Sequence, residues 1–84
     1  MRKKSNSSSE IMSDALFAVD QQLNSEETKY VRECFEKLIN LGKSEKEAKE
    51  KIAAALLKEA DYVHAKKVEF SEERYRENLN EIAK

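Results

Sequence analysis

An all-α fold, a small four-helix bundle-like domain behind a disordered N-terminal tail, is what this sequence predicts. Three observations carry the prediction. Proline is absent and glycine occurs once in 84 residues, so the residues that punctuate chains most strongly are nearly missing. Lys, Glu, Ala and Leu are abundant, and their side chains lose little rotamer freedom in a helix. Apolar residues recur three and four apart between short polar segments rich in capping residues, the pattern of amphipathic helices.

Residues 1–9 (MRKKSNSSS) carry no apolar residue after Met1. Such a segment cannot offset its ordering entropy by burial, so a disordered tail is expected, followed by a single domain over residues 10–84. The first helix is expected over residues 10–22, capped by Ser8 or Ser9, with Glu10 near the positive end of the helix dipole. Its stripe is Ile11, Met12, Ala15, Leu16, Val19 and Leu23. Phe17 and Ala18 lie off that stripe, so the helix is apolar on more than one side.

Asn24 is expected to cap the second helix, with Glu27 bonding back to it. That helix runs to Leu41 with a stripe of Tyr30 or Val31, Cys34, Phe35, Leu38 and Leu41, and Ile39 beside it. Gly42 follows, where a left-handed residue closes a helix. Ser44 and Glu47 form a full capping box opening the third helix, which extends to Lys66. One face of it holds Ala48, Ile52, Ala55, Leu56, Glu59 and Val63; the adjacent face holds Ala53, Leu57, Ala60 and His64. This breadth makes it the central helix. Ser71 caps the last helix, Phe70 staples onto Tyr75, and Tyr75, Leu79 and Ile82 form its stripe.

Charge narrows the functional classes. Sixteen basic residues face 17 acidic ones, which is no footprint of a nucleic-acid binder. The basic Arg2-Lys3-Lys4 cluster is three charges in a polar tail. No apolar run approaches the roughly 20 residues that span a bilayer, and the N-terminus lacks the apolar stretch of a secretory signal. The single Cys34 has no partner for an internal disulfide. A cytoplasmic location is therefore expected.

The segments Leu38-Ile39-Asn40-Leu41-Gly42-Lys43-Ser44, Glu47-Ala48-Lys49, Ile52-Ala53 with Leu56 and Glu59, and Phe70-Ser71-Glu72-Glu73-Arg74-Tyr75 with Leu79 form a pattern. Ser25-Glu26-Glu27-Thr28-Lys29 fits it upstream. The pattern resembles a family of short, uncharacterised bacterial helical proteins. The resemblance covers roughly the last two-thirds of the chain and implies a bacterial cytoplasmic origin and the helix order above, with no particular activity. Separately, residues 41–48 are similar to the first turn of small three-helix domains. These include ubiquitin-associated domains and the C-terminal domain of a Holliday-junction helicase subunit. Any helix–Gly–capped-helix junction produces that similarity.

Constellations that carry chemistry are sparse. Asp61 and His64 are three apart on one helix, with Glu59 nearby, a spacing that can hold a metal. A metal site needs three or four ligands, so none is assigned. Cys34 sits mid-helix on an apolar stripe, as a core residue does. The paired carboxylates Glu26-Glu27, Glu72-Glu73 and Glu45 with Glu47 fall in first helical turns, where the dipole favours them. None is expected to be buried. One glycine cannot build a phosphate loop. In a helix-turn-helix reading about Gly42, the acidic start of the third helix would face phosphates.

The expectation is thus a non-enzymatic helical protein–protein interaction module without a cofactor. Self-association as a dimer is expected, since a small core gains from added burial. The interface residues expected are Ile11, Met12, Leu16, Phe17 and Val19. A regulatory or nucleic-acid-associated accessory protein is the second reading, on the Gly42 turn and the basic tail. A small metal-dependent enzyme using Asp61 and His64 is the third.

Overall fold

The computed structural model describes residues 8–84. Four α-helices follow in order: α1 (Ser8–Leu23), α2 (Lys29–Asn40), α3 (Glu45–Lys66) and α4 (Glu72–Ile82), with a 3₁₀ turn (Glu26–Thr28) before α2. No strand occurs among the described residues. The tail expected over residues 1–9 lies, as far as residue 7, outside the described residues. The first helix is drawn from Ser8, and Glu10 supplies the acidic group of its first turn.

The break between α1 and α2 differs from the expectation. Asn24 does not cap the second helix: Ser25 caps the 3₁₀ turn, its hydroxyl accepting the Glu27 N–H at 3.2 Å, and Thr28, which precedes α2, makes no side-chain cap bond. Asn24 instead donates through Nδ2 to the Asp20 carbonyl at 2.9 Å and closes α1. Thr28 Oγ1 donates to the Gln22 carbonyl at 2.7 Å, and Arg32 Nη2 to the Leu23 carbonyl. Groups from the 3₁₀ turn and from α2 thus satisfy carbonyls that the end of α1 leaves open.

The α2–α3 turn follows from one residue. Gly42 has φ +96°, and two bonds close a Schellman motif around it: Lys43 N–H to the Leu38 carbonyl at 3.1 Å, and Gly42 N–H to the Ile39 carbonyl at 2.9 Å. A Cβ at Gly42 would meet nothing within 4 Å. Gly42→Ala is therefore expected to cost about 1 kcal/mol through backbone strain alone. Urea unfolding checks this, and Gly42→Asn should cost less because Asn tolerates the left-handed region. Leu41, expected on the α2 stripe, is 55 % exposed, because the chain is already leaving the helix there (φ −81°, ψ 1°).

The capping box of α3 forms as expected. Glu47 N–H donates to Ser44 Oγ at 3.1 Å, and Ser44 N–H to Glu47 Oε1 at 3.2 Å. The Ser44 backbone N–H, and after it the Ser44 hydroxyl, hold the Glu47 carboxyl below its ordinary value. The third helix is central: α1, α2 and α4 all pack on it. Ala48, Ile52, Ala53 and Ala55 are buried with Ala15, Val19, Val31, Cys34, Leu38, Tyr75 and Leu79 in one core. The broad face expected of α3 narrows after Glu59, where Ala60 and His64 are exposed. In α4, Ser71 Oγ caps by accepting the Arg74 N–H at 3.2 Å. The Phe70 and Tyr75 rings meet edge to face at 5.7 Å as the staple.

Candidate functional site

The residues expected at an interface divide on α1. Val19 is fully buried and Ala15 nearly so, which sets the inward side of the helix. Val19 is therefore a core residue and is corrected out of the interface; it lies four residues after Ala15 and so shares its face. Met12 and Leu16 are half-buried against the core. Ile11 is 40 % exposed and Phe17 is 67 % exposed, the largest value among the big apolar side chains described. Helical spacing puts Phe17 nearly opposite Val19, pointing away from the core, with Glu10, Ser13, Asp14, Asp20 and Gln21 around it.

Beside Phe17 the surface is hollowed. A groove of about 440 Å³ runs between the later turns of α1 and the start of α3, with Leu16 at its base and Lys46, Lys49 and Asp20 among its sides. Lys49 Nζ meets Asp20 Oδ1 at 3.0 Å there. An adjoining hollow of about 250 Å³ shares Asp20, Glu45 and Lys49 and reaches Leu23, Arg32 and Phe35. Half-buried apolar side chains thus sit beneath charged groups of both signs. Such a hollow can take an apolar side chain while leaving its rim wet.

Asp61 and His64 are both exposed on α3. Among the described residues no three His, Cys, Asp or Glu side chains come together to hold a metal. Cys34 is 6 % exposed and sits between α2 and α4, its Sγ 3.6 Å from the Leu79 carbonyl. Burial pushes its thiol up, with Lys37 opposing more weakly, the reverse of what a thiolate nucleophile requires. Above it lies a groove of about 360 Å³. The Arg76 guanidinium lies 4.4 Å over the Tyr30 ring beside that groove, and Glu72 holds Arg76 at 2.8 Å.

One carboxylate outside the paired sets of the first helical turns is buried. Glu59 is 1 % exposed. Its Oε1 accepts Arg74 Nε at 2.9 Å; its Oε2 accepts Arg74 Nη2 at 2.9 Å and the Ser71 N–H at 2.8 Å. Arg74 Nη2 also donates to the Glu69 carbonyl at 2.8 Å, and its guanidinium lies 4.3 Å over the Tyr62 ring. The third position of α4 holds Arg74, so the helix has no Glu of its own to bond back to Ser71. Glu59 supplies that carboxylate from α3, completing the cap across two helices. Every polar contact of this cluster is internal and serves the α3–α4 elbow. Glu59 stood out in the sequence as a charge on an apolar stripe; its partner, 15 residues away, did not.

No helix among the described residues is long and apolar enough to cross a membrane. No protein-family model, curated protein or solved structure matches the chain.

Proposed function

We propose that this chain is a non-enzymatic helical interaction module that pairs with a second copy of itself through the outer face of α1. One observation carries the reading. Phe17, 67 % exposed at mid-helix, stands next to a groove with an apolar base. A large ring held in water forgoes much of the stabilisation that burial provides, about 25 cal/mol per Å² of apolar area. The other exposed rings have roles inside the chain. Tyr62 lies under Arg74, and Phe70 staples Tyr75. With the resemblance carried by residues 38–79, the single buried Cys34 supports a bacterial cytoplasmic setting.

Sedimentation equilibrium tests the reading at micromolar concentrations. The unmodified chain is expected to show a monomer–dimer equilibrium. Phe17→Glu is expected to weaken it by about 10-fold or more, the effect of removing an interface anchor worth at least ~1.4 kcal/mol. Its circular dichroism should be unchanged, since Phe17 lies outside the core. A strict monomer, or a dimer indifferent to Phe17→Glu, would overturn the proposal.

A further inference from the structure

Going beyond pairing through α1, we propose that α4 is an exchangeable arm. It swings out about the hinge from Lys67 to Ser71 and docks on α1, α2 and α3 of a second copy, which returns its own α4. The turns before and after α3 carry the argument. Before it, Gly42 takes the left-handed conformation, and two backbone bonds close the Schellman motif. After it, the same left-handed conformation falls on Lys67 (φ 55°, ψ 45°), whose Cβ makes it strained there. Among the described residues neither closing bond forms around Lys67. Opening the hinge releases that strain, the condition under which short connections exchange between copies.

The face that α4 covers fits the α4 of any copy. Arg74 forks onto Glu59, and four residues on, Asn78 donates to the Ala55 carbonyl, four residues back. The two helices therefore run antiparallel. Tyr75 reaches Gln22 and Tyr30 across the same face. A two-fold exchange remakes each of these contacts between copies, so no new complementary surface is required. The five hinge residues span at most about 17 Å, which keeps both hinges beside the two-fold axis. Val68 and Phe70, 44 % and 49 % exposed in the closed chain, are gathered there out of water, a gain the closed chain lacks.

The Phe17→Glu variant keeps the α1 face out of the test. It is held at millimolar concentration in urea near its unfolding midpoint, returned to buffer and diluted for gel filtration. A dimer that persists on dilution is expected, because its release requires α4 to leave again. Assembled from isotope-labelled and unlabelled chains, that dimer should give filtered NOEs between the Tyr75 ring of one copy and the Tyr30 ring of the other. Lys67→Gly relaxes the closed hinge and should lower the association constant about 30-fold, about 5-fold for each hinge. Deleting residues 67–70 leaves Ser71 alone between the helices, shorter than a helical hairpin allows. That variant should be helical and dimeric without urea treatment. A Phe17→Glu chain that forms no persistent dimer, or a dimer whose Tyr75–Tyr30 contact stays within one chain, would overturn the proposal. So would a Lys67→Gly dimer as tight as its parent, or a helical monomer after the deletion.

Discussion

Tyr75→Ala is expected to lower the free energy of unfolding by about 4 kcal/mol, the usual range for removing a fully buried aromatic ring. The whole stability of an 84-residue domain is roughly 4–13 kcal/mol, so the loss removes between about a third and all of it. The size of the effect comes from position. Tyr75 is fully buried, and its ring meets Tyr30 edge to face at 5.8 Å and Phe70 at 5.7 Å. Its hydroxyl donates to Gln22 Oε1 at 2.6 Å. One side chain thus joins α4 to α1, to α2 and to the connection before α4. Burial holds its phenol above the ordinary value, so it donates as a neutral group at any pH near neutral. Tyr75→Phe keeps the ring and should cost only about 1 kcal/mol. Urea unfolding followed by circular dichroism compares the two. Equal losses would show that the hydroxyl, not the ring, carries the packing.

Glu59→Ala is expected to cost about 3 kcal/mol, because it strands the Arg74 guanidinium and the Ser71 N–H beside a cavity. Replacing both partners, Glu59→Met with Arg74→Met, should recover much of the loss, since paired apolar groups of similar volume need no counter-charge. The same cluster makes stability depend on pH. The hydrogen bonds from Arg74 hold the Glu59 carboxyl below its ordinary value of 4.5, and the Ser71 N–H adds to this. A depressed folded value means that this stabilisation is fully present above the unfolded value. It is lost as pH falls below about 4.5 and through the lowered folded value. Glu59→Gln lacks this contribution, so its unfolding free energy should fall less steeply on acidification between about pH 5 and 2. Parallel curves for the two proteins would assign the acid loss to other carboxyls.

Local chemistry was legible in the sequence where it acts within five positions along the chain. Ser44 with Glu47, Ser71, the Phe70–Tyr75 staple and Gly42 all act on their own backbone neighbours, and residue type was enough to place them. Asn24 and Ser25 were not separable in this way. Both can cap, and in the structure Asn24 closes α1 while Ser25 opens the 3₁₀ turn. Leu41 matched the apolar period, yet the backbone turns out of the helix before the period can bury it. On α1, spacing placed Phe17 off the stripe, but the inward direction of the helix is set by α3, and that phase removes Val19 from any surface. The groove beside Phe17 and the partner of Glu59 both depend on α3 meeting another helix. No pattern within one helix contains them.

The most direct measurement is a dilution series of amide NMR spectra from about 1 mM to 20 μM, a range that brackets a dissociation constant of about 100 μM. Self-association through α1 should move the amides of Ser13, Asp14, Phe17, Asp20 and Lys46 with concentration, while those of Asp61 and His64 stay fixed. Spectra that do not change with concentration, or shifts confined to residues 62–70, would contradict it.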